Sequence, residues 1–114
     1  MPYGHQLLTL IKQSDTMDRV CKDRLQSGDW MLIQTRNSRY SIHIGGDGWC
    51  EISGGWFDRK GKSHARVRIN GCTWGGSAIN LQVAAACGLC IEFSNRVVTS
   101  PIQRIIFFPG FTMN

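Results

Sequence analysis

The sequence predicts a mainly β protein: a small SH3-like or similar β-barrel or sandwich of about six short strands, with an N-terminal helical segment. The chain has 114 residues, which is the size of one domain, and its 13 glycines against 3 prolines suit many tight turns. From residue 29 onward, apolar residues recur with a period of two in short runs, without a βαβ pattern. We therefore expect residues 1–28 to be a helical segment that packs on a single β-barrel domain of residues 29–114.

Helical spacing is confined to residues 5–27. Two apolar stripes mark it, one at Leu7, Leu8 and Ile11 and a second at Met17, Val20, Cys21 and Leu25. The pattern fits two short helices or one bent helix, ending at Gly28, a residue that suits a helix C-cap. Such a segment would close one end of the barrel or serve as a dimerisation arm.

The first three predicted strands follow this segment directly. Residues 31–33 are apolar throughout, which predicts a strand buried on both faces. After a turn at residues 36–38, residues 39–44 alternate polar and apolar, which predicts a half-buried strand. A glycine-rich turn at 45–48 leads into a third strand at 49–53, which Gly54 and Gly55 end.

The second half of the chain contains the remaining strands and one ambiguous stretch. Residues 66–70 alternate polar, mostly basic, and apolar side chains, whereas residues 78–86 are ambiguous between helix and strand. A fifth strand at 89–93 turns at Asn95-Arg96, and a last strand covers 103–108. Between them, Ser100 and Pro101 predict one helical turn over 99–102, a feature typical of SH3-like barrels.

Positive charge is concentrated in one short segment. The net charge is +5, and residues 58–68 contain five Lys or Arg against one Asp. Charge next to aromatic rings on a small β-barrel is how single-stranded nucleic acid and nucleotides are held. The predicted ligand-binding residues are Arg39, His43, Arg59, Lys60, Lys62, His64, Arg66, Arg68, Trp56 and Trp74, with Tyr40 and Trp49 as further stacking surfaces. The alternative interpretation is a solubilising loop, with the tryptophans in the core or at a homomeric interface.

The five cysteines include a Cys87-Gly-Leu-Cys90 pair. A structural zinc site needs a second ligand pair, and Cys50 and Cys72 are too far apart in sequence to form one. A redox pair is expected at a helix N-terminus, whereas this pair enters a predicted strand. We expect structural, buried thiols, with metal binding and redox chemistry as the alternatives, and we predict no catalytic residue, metal or cofactor.

Apolar runs in the sequence are all too short for a membrane-spanning helix of about 20 residues. The N-terminal residues also lack the charged start and continuous apolar segment of a signal peptide. We therefore expect a soluble cytoplasmic protein with reduced thiols and no membrane partner.

Four short motifs together are similar to a known pattern: Thr35-Arg36-Asn37-Ser38-x-Tyr40, Gly54-Gly55, Gly75-Gly76-Ser77 and Thr99-Ser100-Pro101-Ile102. Over residues 29–108 the chain resembles a family of short uncharacterised bacterial proteins with T-R-N-S-x-Y, G-G and T-S-x-[VI] motifs. The resemblance implies a bacterial or phage origin and a compact β-domain. It implies no activity, cofactor, partner or functional residue.

Together these patterns predict a small non-enzymatic binding protein whose basic, aromatic-flanked face holds an anionic ligand, either nucleic acid or a nucleotide. A protein-interaction or self-assembling module is the alternative, because four tryptophans and the C-terminal Phe107, Phe108 and Phe111 give a short chain much aromatic surface. A homo-oligomer belongs to that alternative. A zinc- or thiol-dependent enzyme is the third possibility.

Overall fold

The computed structural model describes residues 15–74 and 78–110. The ten strands in these ranges are β1 (Asp15–Met17), β2 (Arg19–Cys21), β3 (Trp30–Thr35), β4 (Arg39–Ile44), β5 (Trp49–Gly54), β6 (Ala65–Thr73), β7 (Ile79–Asn80), β8 (Val83–Ala86), β9 (Cys90–Phe93) and β10 (Ile102–Phe108). One short helix, α1 (Gly55–Arg59), follows β5, and 3-10 turns occupy Lys22–Arg24 and Gly46–Gly48. No helix in these ranges is long and apolar enough to span a membrane.

Eight of the strands form one antiparallel sheet in the order β1-β10-β3-β4-β5-β6-β7, with β9 also paired to β6. β2 and β8 form a separate two-stranded sheet. The large sheet curls into a half-barrel around an apolar core, which confirms the mainly β prediction. The core contains an aromatic cluster in which Phe57 lies edge-on to Tyr40 and Phe93, with ring centroids 6.2 and 5.5 Å away.

Strict alternation governs the strands in the middle of the sheet. In β4 the side chains of Tyr40, Ile42 and Ile44 are buried, as the sequence predicts, so Tyr40 belongs to the core and is not a stacking surface for a ligand. In β3 the prediction of a strand buried on both faces is wrong. Its side chains alternate, and Leu32 is 38% exposed on the face opposite the core.

The helix predicted over residues 5–27 is absent from its described part. Residues 15–21 are two short strands, and residues 5–14 lie outside the described ranges. β1 pairs with β10, and β2 pairs with β8 in a register that sets Val20 opposite Ala85. Val20 is fully buried there. Its apolar surface is covered by sheet pairing, and this long-range packing overrides the local helical spacing.

The structure resolves one ambiguous prediction in the second half of the chain and contradicts another. The ambiguous stretch 78–86 is extended, with β7 and β8 joined by a turn, and all four residues of β8 are buried. The helical turn predicted over 99–102, which favoured an SH3-like barrel, is wrong because this segment is not helical. The segment lies against the β3–β4 turn instead, where the Pro101 carbonyl accepts a hydrogen bond of 2.9 Å from the backbone N–H of Arg36.

Candidate functional site

The sheet face that points away from the core, the outward face, carries four of the predicted ligand-binding residues. The successive pairing of β3 with β4, β4 with β5 and β5 with β6 aligns one row of side chains across four strands, namely Trp30, His43, Glu51 and Arg66. Trp49 and Arg68 form the next row, and Arg39 lies on the same face of β4 as His43. Alternation therefore brings Arg39, His43, Arg66 and Arg68 to one surface.

Trp49 and two arginines form the most specific arrangement on this face. The guanidinium carbons of Arg66 and Arg68 lie 4.8 and 4.5 Å from the centroid of the Trp49 ring. Both arginines are exposed, whereas Trp49 is half-buried. The ring attracts the cations through its quadrupole and restricts their movement, while both side chains remain accessible to solvent. The result is two oriented donors for an anion.

A second aromatic pair lies in the neighbouring row. The rings of Trp30 and His43 are stacked, with centroids 4.2 Å apart and planes 14° from parallel, and Trp30 is 40% exposed. We call the five residues Trp30, His43, Trp49, Arg66 and Arg68 the ridge. It combines flat aromatic surface with positive charge, the two properties that hold unstacked bases and phosphates.

Two predicted cations, one at the end of α1 and one in the loop after it, make local contacts. Arg59 donates a hydrogen bond of 2.9 Å from Nη1 to the Ser38 hydroxyl, beside the β3–β4 turn. The Lys62 ammonium lies 5.8 Å from the ring centroid of Trp56, and that ring packs edge-on against Phe57 at 5.3 Å. These side chains thus support local structure. The other two predicted residues of the loop, Lys60 and His64, are exposed.

Trp74 is not brought to the ridge. It lies six residues beyond Arg68, which is about 20 Å along an extended strand. There β6 has changed partners and pairs with β7 and β9. Trp74 is 68% exposed, so it adds apolar surface at the far end of the sheet.

Sequence reasoning missed two important residues of the outward face. The continuous apolar run of β3 hides Trp30, because it predicts burial on both faces, whereas only the face with Met31 and Ile33 is buried. Arg104 was overlooked because only the pairing of β10 with β3 places it near Arg39: the register sets Arg104 opposite Gln34, and Gln34 opposite Arg39. The signal for Trp30 was present in the alternation, whereas the signal for Arg104 depends on a long-range register.

Arg39 and Arg104 line a cleft at the end of the outward face opposite the ridge. A cavity of about 520 Å³ lies between Arg39 and Arg104, and Leu32 and Ile106 contribute its apolar side. Asp58 stands on its rim, where its Oδ1 accepts hydrogen bonds from the Ser63 hydroxyl and the Gly54 N–H. Those two hydrogen bonds, the Ser63 bond most of all, lower the pKa of Asp58 below its usual value.

Beside this cleft lies a polar cluster that we call the motif end, formed by Thr35, Ser38, Gly54 and Ser100. The Thr35 hydroxyl donates to the Ser38 carbonyl at 3.1 Å and accepts from the Ser38 N–H at 3.0 Å. It also accepts from the Ser100 hydroxyl at 2.7 Å, and Ser100 in turn accepts from the Asn37 N–H at 3.1 Å. The motifs at 35–38 and 99–102 are therefore two halves of one structural joint.

The cysteines differ from the prediction of buried thiols. Cys50 and Cys72 are buried, and burial raises the pKa of each thiol to about 11. Cys87 is exposed and Cys90 half-buried, so the expectation of a buried pair is wrong, because Cys87 lies in the turn before β9. Within residues 15–74 and 78–110, no three His, Cys, Asp or Glu side chains are grouped as metal ligands.

The outward face thus carries an aromatic and cationic ridge at one end and an arginine-lined cleft at the other. Comparison of the chain with protein-family models, curated protein sequences and solved structures found no match.

Proposed function

We propose that this protein is a non-enzymatic binding protein whose outward sheet face holds an anionic ligand, a nucleic acid or a nucleotide. The observation that carries the proposal is the placement of two arginine guanidinium groups over the ring of Trp49. A guanidinium held on a ring loses less freedom when it forms hydrogen bonds to a phosphate, so binding costs less entropy.

The surroundings of this arrangement support the same proposal. Trp30 and His43 add a stacked aromatic pair one row away, and base stacking on such rings contributes about 1–3 kcal/mol per base. Glu51 is the only acidic side chain in the row that runs from Trp30 to Arg66. The expectations of a bacterial or phage origin and a cytoplasmic location belong to this proposal and rest on the sequence alone. An SH3-like architecture also stays a prediction, now without the helical turn over 99–102 that favoured it.

A fluorescence titration with a short single-stranded oligonucleotide, repeated across salt concentrations, tests the proposal. Tryptophan emission reports binding directly, since two tryptophans belong to the ridge. We expect affinity to fall as salt rises. The double variant Arg66→Ala with Arg68→Ala should weaken binding at least about tenfold and reduce the salt slope by about 1.4, at roughly 0.7 for each lost phosphate contact.

The matched control removes the same charge elsewhere. Arg19 lies in β2, outside the large sheet. The guanidinium group of Arg24 lies over the ring of Phe107, a buried residue of β10. The double variant Arg19→Ala with Arg24→Ala should keep most of the affinity. Binding that survives the ridge substitutions, or that never appears at low salt, would overturn the proposal.

A second candidate function is protein interaction or self-assembly, and it has its own observation. Trp74 and Leu81 are 68% and 62% exposed beside the two-residue strand β7, which ends the large sheet. Apolar side chains at a sheet edge favour association with another chain. Light scattering on the wild type and on Leu81→Asp tests this function. Monomers in both samples, with no partner captured in pull-downs, would count against it.

A further inference from the structure

The outward face carries two separate arginine pairs. Arg66 and Arg68 belong to the ridge on β6. Arg39 and Arg104 line the cleft on β4 and β10, on either side of Gln34. All four arginines are exposed. A ligand with a single anionic group would need only one of these pairs.

The strand register gives the distance between the pairs. Arg66 lies in the row of His43, and His43 is four residues from Arg39 along β4, a separation of about 13 Å in the strand direction. Arg68 lies one row further, at about 20 Å. Across the sheet, β6 is two strands from β4 and four strands from β10, which adds about 10 to 19 Å.

The surface between the pairs is suited to bases rather than to further phosphates. Trp30 and Leu32 are exposed apolar side chains of β3, and Ile106 lies opposite Leu32 on β10. Ser41 lies in the same row as Leu32, on β4. The rows therefore change from cationic and aromatic, through apolar and hydroxyl-bearing, to cationic again.

We infer that the ligand is a segment of single-stranded nucleic acid that spans both arginine pairs and is about four nucleotides long. The inference rests on the proposed function and names its ligand class. The phosphates of a mononucleotide are adjacent and reach only one pair, whereas a single strand carries one phosphate per nucleotide over the whole distance. Four nucleotides is the lower end of the site size of small β-barrels, about 4 to 16. Unstacked bases are required for contact with Trp30 and Leu32, so a duplex does not fit.

Titration with oligothymidylates from one to about eight nucleotides long, at a fixed low salt concentration, tests the inference. We expect affinity to rise at least tenfold between one and about four nucleotides and to change little beyond that length. The double variant Arg39→Ala with Arg104→Ala should lose this gain and keep the affinity for the mononucleotide. The variant Arg19→Ala with Arg24→Ala, which removes the same charge, should keep the gain.

The outcomes separate the inference from the function on which it rests. If the mononucleotide binds as tightly as the tetramer, the inference is overturned while the proposed function stands. If poly-glutamate of equal charge binds as well as the oligonucleotide, the face is a general anion surface and the inference is also overturned. If no oligonucleotide or nucleotide binds at low salt, both fail.

Discussion

The motif end and the ridge lie on the same sheet and use polar residues in opposite ways. At the motif end the Thr35 hydroxyl donates one hydrogen bond and accepts two, which uses its full capacity. At the ridge the guanidinium groups of Arg66 and Arg68 lie over a ring, and both side chains are exposed to solvent. The polar groups of the motif end bond to one another and stabilise the fold, whereas the cationic groups of the ridge remain accessible to a ligand.

The comparison shows that the most recognisable sequence motifs and the proposed binding residues lie in different parts of the sheet. Three of the motifs that support the family resemblance, at residues 35–40, 54–55 and 99–102, meet at the motif end, where Gly55 also allows the ring of Tyr40 to pack against the backbone; the motif at 75–77 lies outside the described residues. A turn that fixes the register of β3 against β4 also fixes which side chains of β4 face outward. The motif end therefore positions Arg39 and His43 through the register of β3 against β4.

The largest expected effect is at Gly54. Its φ is +95°, and a Cβ there would collide with the backbone carbonyl oxygen of Arg39. We expect Gly54→Ala to lower the free energy of unfolding by at least about 3 kcal/mol, because backbone strain and a steric clash add. Gly46→Ala is the matched control, since a Cβ there meets nothing within 4 Å, and it should change stability by less than about 0.5 kcal/mol. Equal unfolding midpoints in urea would contradict the assignment of a structural role.

A smaller effect is expected at the hydroxyl that joins the two motifs. Thr35→Val keeps the shape of the side chain but leaves the Ser38 N–H and the Ser100 hydroxyl without their acceptor. We expect a loss of about 1–3 kcal/mol in the free energy of unfolding, measured by urea denaturation, with oligonucleotide affinity of the folded protein unchanged. The same substitution at the exposed Thr16 should be nearly neutral. A tenfold loss of affinity in Thr35→Val would show that the two regions are not separate.

Local patterns were sufficient to predict the middle of the sheet. Alternation in β4 and β6 set Arg39, His43, Arg66 and Arg68 apart from the core, because a strand turns every second side chain to the same face. The two tight turns around β4 and the end of β5 were also predictable from turn-forming residues. These patterns predict which cations are exposed. They do not predict the distances between the cations or the rings that the cations contact.

Long-range pairing accounts for what was missed. Residues 15–21 form strands because β10 and β8 pair with them. The spacing of apolar residues around Val20 gives no indication of these partners. Arg104 reaches the outward face through a register that joins residues about seventy positions apart. Residues 99–102 are not helical because the Ser100 hydroxyl donates a hydrogen bond to the distant Thr35 hydroxyl instead of capping a helical turn. Each of these three errors follows from a partner that is remote in sequence.

The smallest expected effect tests the ridge by a gain of binding. Glu51 is exposed between His43 and Arg66 in one row, and its negative charge opposes a phosphate bound there. We expect Glu51→Gln to raise oligonucleotide affinity about two- to threefold at low salt, with the gain shrinking as salt screens the charge, and to cost at most about 0.5 kcal/mol of stability through the lost cross-strand attraction. Asp18→Asn is the matched control, because Asp18 is exposed between β1 and β2, away from the ridge, and it should leave affinity unchanged. Equal gains in both variants would mean that net charge, rather than the ridge, attracts the ligand.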